Sequence, residues 1–232
     1  LFRFTYRYAS AITYLSSQAR EYLQSIKTPA RKLFFLPVGA DFDMFRPANK
    51  DEARKKLSLD PDKIYAIYVG SFYRLKSVDI KLNIYNVLKD KYNFSEIFVV
   101  GKNDGTNDLY NEVRDSGCPY FGRQHYKDMP QFYHAADFYI HPAFDIRFGG
   151  LDVTWIEALA CNIPVISPQL NYLDFDYSEL GITIKNVSDS LSQTEVMIRE
   201  FRDFNRCREV ARQHLDSNGA ILDKLLTIYN SF

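Results

Sequence analysis

The amino-acid sequence predicts an α/β fold in which a parallel sheet is covered by helices on both faces. Short apolar runs at 64–69, 96–100, 119–121, 138–141 and 164–167 alternate with helical stretches at 79–92, 107–116, from about Asp128, and at 152–161. Strands separated by helices form repeated strand–helix–strand units, and such sheets are parallel and buried on both sides. Gly70, Gly101 and Gly122 each follow a run, where a strand turns into a loop. The stretch at 152–161 is apolar almost all round (Val153, Trp155, Ile156, Ala158, Leu159, Ala160), so it belongs between the sheet and another layer.

Composition agrees. A chain of 232 residues, 46% hydrophobic and 16% aromatic, buries a full core. Its 29 basic and 29 acidic side chains cancel, so no global field favours nucleic acid, and none is expected as a partner. Cys118, Cys161 and Cys207 lack the spacing of a zinc site or a disulfide framework and fit free thiols in a reducing compartment. No apolar run approaches the ~18 residues of a membrane span, and no signal peptide is recognisable. A chain that starts at Leu1 fits a fragment of something longer.

Before the alternation begins, residues 1–47 read as an appendage. A helix is predicted over 6–25, with Ala9, Ile12, Leu15 and Tyr22 on one side and the Lys27-Thr-Pro break after it. A short strand from Leu33 then runs through a glycine turn at Gly39 to Pro47, and a short helix at 51–57 leads into the first run. The helix near Asp128 is expected to be capped by that side chain, with Pro130 in its first turn. Residues 186–232 read as two or three amphipathic helices with a break at Asn218-Gly219.

Ligands of such sheets bind at the carboxyl ends of the strands, near the switch in strand order. This brings together the loops at 71–76, 102–105, 123–125 and 143–152. Gly149-Gly150 permits close backbone approach, and the N–H groups opening the next helix form an anion site. Glu157, the only charge past the first turn of that helix, needs a partner if buried. Ligand hydroxyls or a neighbouring backbone or arginine are equally open as that partner. Arg74 and Lys76 sit where two cations reach a diphosphate, and their place at a strand's carboxyl end favours this over a solvated surface loop. The segment at 99–105 lacks the glycine pattern of dinucleotide sites, and no Gly-Lys-Ser/Thr is present, which argues against a dehydrogenase or an NTPase. His125, His134 and His141 show no metal-ligand spacing. His134 reads as structural; His141 ends a strand at the proposed site. Asp145 and Asp152 flank the glycine pair, and Asp152 is either the helix N-cap or a carboxylate that competes with the anion.

In order along the chain, Leu36-Pro-Val-Gly-Ala-Asp-Phe-Asp-Met-Phe-Arg-Pro47, Tyr68-Val-Gly-Ser-Phe-Tyr-Arg-Leu-Lys-Ser-Val-Asp79, Tyr120-Phe-Gly122, Met129-Pro-Gln-Phe-Tyr-His-Ala-Ala-Asp137 and Glu157-Ala-Leu-Ala-Cys-Asn-Ile-Pro-Val-Ile166 form a series. This series resembles the carboxyl-terminal half of a GT-B fold glycosyltransferase of the retaining family 4, also called group 1. The resemblance implies a Rossmann-like domain that binds a nucleoside-diphosphate sugar without metal or other cofactor. It implies Lys76, with Arg74, Ser71, Gly149, Gly150 and Leu151, at the donor diphosphate, and Glu157 on the ribose hydroxyls. Gly122 and Arg123 would border the base, Gly39 would lie in the turn near the sugar, and Asp145 or His141 would face the reacting sugar.

Three departures stand out. Ser71 replaces the family's diphosphate arginine, Val38 its turn asparagine, and Gly149 the first glutamate of its Glu, seven residues, Glu motif. The expected domains are 1–47 from the end of an acceptor domain, 48–190 for the donor and 191–232 as closing helices. The expected activity is retaining sugar transfer to an unknown acceptor (a glycan, a lipid-linked sugar or a protein) completed by a missing amino-terminal domain. The expected location is cytoplasmic, peripheral at a membrane through that absent half. A non-catalytic subunit and a nucleotide-sugar epimerase are the alternatives.

Overall fold

The computed structural model of the protein describes residues 6, 8–70, 78–100, 108–141 and 152–230. The central strand is β3 (Ile64–Gly70), paired in parallel along its whole length with β4 (Phe94–Val100). On its other side follow β5 (Phe138–Ile140), β6 (Val165–Ile166) and β7 (Gly181–Ile182), all parallel, in the order β4-β3-β5-β6-β7. Side chains of β3 alternate between two cores. Tyr65 and Ile67 enter one, while Ala66 and Tyr68 enter the other, as a strand buried on both faces requires.

The first core lies under α2 (Lys50–Lys56), α5 (Met129–Ala135), α6 (Val153–Ala160) and α8 (Cys207–Leu215). The second lies under α3 (Val78–Tyr92), α4 (Asp108–Asp115) and α7 (Asp189–Glu200). Helix α6 is fully buried from Trp155 to Ala160, as its sequence demands, and packs against β5, β6 and α8. It ends where Asn162 takes a left-handed conformation (φ 62°), the place a helix gives to Gly or Asn. Arg208 of α8 then donates to the carbonyls of Phe42, Phe45 and Ala160, tying this end to the segment before α2.

Four expectations need correction or refinement. The helix expected over 6–25 is split into β1 (Ile12–Tyr14) and α1 (Ser17–Ser25). Ser16 caps α1 by accepting from Ala19 N at 3.2 Å, and Ile12-Thr-Tyr pairs in parallel with β2 (Leu33–Phe35). Helical periodicity missed this because β-branched and aromatic residues favour a strand once a partner strand is present. The run at 119–121 makes only a one-residue bridge, Phe98 to Tyr120, since Pro119 has no N–H and Gly122 turns the chain at φ 60°. Asp128 occupies the N-cap of α5 without a side-chain bond; His125 Nδ1 accepts from Lys127 N instead and opens a 3-10 turn. Among the described residues the carboxyl-terminal α-helices number three: α7, α8 and α9 (Ala220–Tyr229).

Counting the Tyr120 bridge outside β4, the chain runs outward from β3 and then returns to its other side at β5. The switch in strand order therefore lies between β3 and β5. At the far edge, a Cβ added to Gly181 would lie 1.9 Å from Val165 O, with φ at 150°. Gly181→Ala is expected to cost about 3 kcal/mol or more in urea unfolding, by forcing β7 off β6. A loss under about 1 kcal/mol would mean that the edge can shift. Among the described residues no helix is long and apolar enough to cross a membrane. All three cysteines are free and buried, and burial pushes the Cys118 thiol up to about 11.

Candidate functional site

Strand β5 is wholly buried, and its next residue, His141, is 1% exposed. The His141 backbone donates to Ile166 O at 2.8 Å, which fixes the ring at the carboxyl end of the sheet beside the switch. Across from it, Asp152 is the N-cap residue of α6, with extended backbone and no side-chain cap bond. Its Oδ2 lies 2.7 Å from His141 Nε2. The sequence left Asp152 open between helix cap and competing anion; the structure turns its carboxylate to a histidine instead.

Gln169, 3% exposed, in the 3-10 turn after β6, holds this arrangement. Its Oε1 accepts from Asp152 N at 3.1 Å and Trp155 Nε1 at 3.0 Å. Both of those groups only donate, which fixes the amide: Nε2 must face Asp152 Oδ2 (3.4 Å) and His141 Nε2 (3.2 Å). His141 Nε2, 2.7 Å from a carboxylate oxygen, is then the donor to Asp152, and its approach to the Gln169 NH2 group is a contact between two donors and not a hydrogen bond. No local sequence pattern marks Gln169, since it acts on residues 14 to 28 positions away. Nearby, Tyr139 Oη and Thr154 Oγ1 are 2.8 Å apart, linking β5 to the first turn of α6.

Glu157 is 5% exposed, and its Oε2 accepts from Tyr133 Oη of α5 at 2.7 Å. The partner is neither a backbone group nor an arginine. Burial raises the Glu157 carboxyl above its ordinary value and the Tyr133 bond opposes this, while burial and Glu157 together push Tyr133 well up. Tyr126, more than half exposed, stacks edge-on to Phe45 at 5.5 Å, and its hydroxyl is raised by burial and then by Glu157. It follows Gly122 and the exposed Arg123 on the loop before α5, and of these Tyr126 lies close enough to Glu157 to feel its charge. His134 Nε2 contacts Arg46 O at 2.7 Å, in keeping with a structural histidine.

Gly39 does not form a left-handed turn. A Cβ there would meet Leu215 O at 2.7 Å, because residues 39–40 cross the chain at 215–217, where Ala40 N donates to Leu215 O. The close crossing accounts for the glycine. Ser71, Arg74, Lys76, Asp145, Gly149, Gly150 and Leu151 lie outside the described residues. Among the described residues no cluster of three histidine, cysteine or carboxylate groups forms a metal site.

Residues 49–172 match the family described as glycosyl transferases group 1. The chain belongs to this family. It is 30% identical over 159 residues to the D-inositol 3-phosphate glycosyltransferase of Rhodococcus erythropolis, covering 64% of this chain and 34% of the relative. Identity to the Segniliparus rotundus protein of the same name is 31% over 153 residues, covering 62% and 33%. The group 1 chain thus spans about a third of the length of the curated relatives it matches. Among solved structures it is similar to Anabaena HepE in complex with UDP, with TM-score 0.80 at 15% identity over 98% of this chain and 65% of that one. Sucrose-phosphate synthase from Thermosynechococcus elongatus gives TM-score 0.77 at 19% identity, over 99% and 60%. At such identities the likeness is one of fold, the GT-B architecture.

Proposed function

We propose that the chain is the donor-binding half of a retaining glycosyltransferase that moves a sugar from a nucleoside-diphosphate sugar to an acceptor. The observation that carries this is Glu157, a buried carboxylate on α6 beside the strand-order switch, held on one oxygen by Tyr133. In this reading Glu157 orients the ribose hydroxyls, and Gly122 and Arg123 border the base. Lys76 and Arg74, beside Ser71, stabilise the leaving diphosphate together with N–H groups of Gly149, Gly150 and Leu151. His141 and Asp145 lie toward the sugar, and Gly39 in the crossing between domains. No metal takes part.

The HepE complexes with UDP and with UDP-glucose support a nucleotide-sugar donor, because the same architecture holds those ligands there. Residues 1–47 then end an acceptor domain, 48–190 hold the donor, and 191–232 close the domain. The acceptor is a glycan, a lipid-linked sugar or a protein, and the protein works in the cytoplasm, peripheral to a membrane. The non-catalytic and epimerase alternatives draw no support from the relatives, which are named glycosyltransferases.

Isothermal titration of the chain with UDP and GDP tests this. One nucleotide is expected to bind saturably, and Lys76→Ala to weaken it about tenfold or more by removing a charge-assisted hydrogen bond. Absence of binding by both nucleotides, or equal affinity in the variant, would overturn the reading.

A further inference from the structure

Strand β5 parts from β3 at the candidate site: their pairing ends at Ile67 with Tyr139, although β3 runs on to Gly70 beside β4. Tyr139 N and His141 N donate to Pro164 O and Ile166 O on the β6 side, so the Ile140 carbonyl between them faces the gap toward β3. A buried carbonyl needs a donor. Lys81 supplies it: its wholly buried side chain reaches across from α3, and Nζ donates to Ile140 O. An ammonium thus closes the strand end that His141 follows.

Glu96 of β4 faces the same ammonium without holding it. Its Oε1 lies 4.0 Å from Nζ, beyond the about 2.7–2.9 Å of a charge-assisted hydrogen bond. Both Glu96 oxygens are buried without a hydrogen-bond partner. In such surroundings an ionised carboxylate outcompetes a neutral carbonyl for an ammonium, whereas a protonated carboxyl does not. Burial pushes the Glu96 carboxyl up to about 7, against the charge of Lys81. The other titratable groups around the pair are Tyr68 of β3, whose ring centre lies 4.5 Å from Nζ, Tyr85 of α3 and Cys118 after α4. Burial raises all three, with Asp152 adding to the rise of Tyr68, so they stay neutral while Glu96 titrates.

We infer that the pair of Lys81 and Glu96 is a proton-controlled positioning device for the candidate site. With Glu96 neutral, the ammonium holds the Ile140 carbonyl and fixes the end of β5. With Glu96 ionised, the ammonium is drawn toward Oε1 and that end loosens. Lys81 is therefore a positioning residue that acts on the donor through the end of β5, and donor binding weakens as Glu96 ionises. This last step rests on the donor-site reading above.

Carbon-13 and nitrogen-15 NMR of the labelled chain tests the device without any ligand, by following the Glu96 carboxyl, the Ile140 carbonyl and the Lys81 ammonium from about pH 5 to about pH 8.5. The Ile140 and Lys81 signals are expected to move with the midpoint of Glu96, and to stay level in Glu96→Gln, which keeps the side-chain shape and leaves His141 unaltered. An Ile140 carbonyl that ignores the Glu96 titration, or that titrates as before in the variant, overturns the device. Should Glu96→Gln fail to fold by circular dichroism, the shared midpoint in the unaltered chain decides the matter, and Glu96→Leu takes the variant's place. Isothermal titration with UDP and GDP reads the effect on the site. Affinity for the nucleotide that binds is expected to fall about fivefold or more from about pH 6 to about pH 8.5 in the unaltered chain, beyond any change in the variant. Equal pH profiles overturn the link to the donor. Failure of both nucleotides to bind at every pH overturns the donor-site reading, and that link with it, whatever the NMR titration shows of the pair itself.

Discussion

Lys81→Met is expected to lower the unfolding free energy by about 3 to 5 kcal/mol, and adding Glu96→Leu is expected to recover most or all of the loss. Lys81 of α3 and Glu96 of β4 are both wholly buried in the second core, with Nζ and Oε1 4.0 Å apart. Lys81 Nζ donates to Ile140 O and lies 4.5 Å from the centre of the Tyr68 ring. Neither Glu96 oxygen has a hydrogen-bond partner. Breaking such a pair leaves a buried carboxyl without its partner in the core, whereas an apolar pair of similar volume removes both desolvation penalties. Chemical denaturation of the two variants decides it. Equal destabilisation of the single and double variants would show that the ammonium contributes through Ile140 and Tyr68 and not through Glu96.

The same pair predicts a pH dependence. Burial pushes the Glu96 carboxyl up to about 7 from 4.5, against the opposing charge of Lys81. Between those values the folded chain keeps a proton that the unfolded chain has released. Stability therefore falls as pH rises from about 4.5 to about 7, by about 3 kcal/mol, and this contribution is level above and below that window. The double variant is expected to lack this slope, and an unchanged slope would assign it to other groups.

Glu157→Ala is expected to weaken nucleotide binding about 100-fold, because a carboxylate accepting two ribose hydroxyls contributes about 3 kcal/mol. Tyr133→Phe separates the ligand role from the structural one. It removes the protein's own donor to Glu157 while leaving the carboxylate, so binding is expected to change by only a few fold. If both variants bind alike, Glu157 serves α5 packing alone. Since burial raises the Glu157 carboxyl, acidification is expected to weaken binding before an ordinary glutamate would protonate.

The layered architecture is legible in the order and pattern of residues alone. Runs such as Ile64-Tyr-Ala-Ile-Tyr-Val are apolar on both alternating faces, and α6 is apolar all round; each pattern has one low-energy environment, a buried one. The residue pattern also marks Glu157, because a lone carboxylate in such a helix demands a partner. The identity of that partner was not legible. Tyr133 lies 24 residues away, and Gln169 acts at 14 to 28 residues, distances over which no periodicity carries information. The strand at 12–14 was hidden for a related reason, since it exists only where 33–35 pairs with it. Asp152 shows the division most plainly: its sequence neighbours permit a helix cap, and only the meeting of β5, β6 and α6 sets His141 and Gln169 against its carboxylate. Local chemistry fixes what a segment must bury, but which groups face one another depends on the free energy of the whole packing.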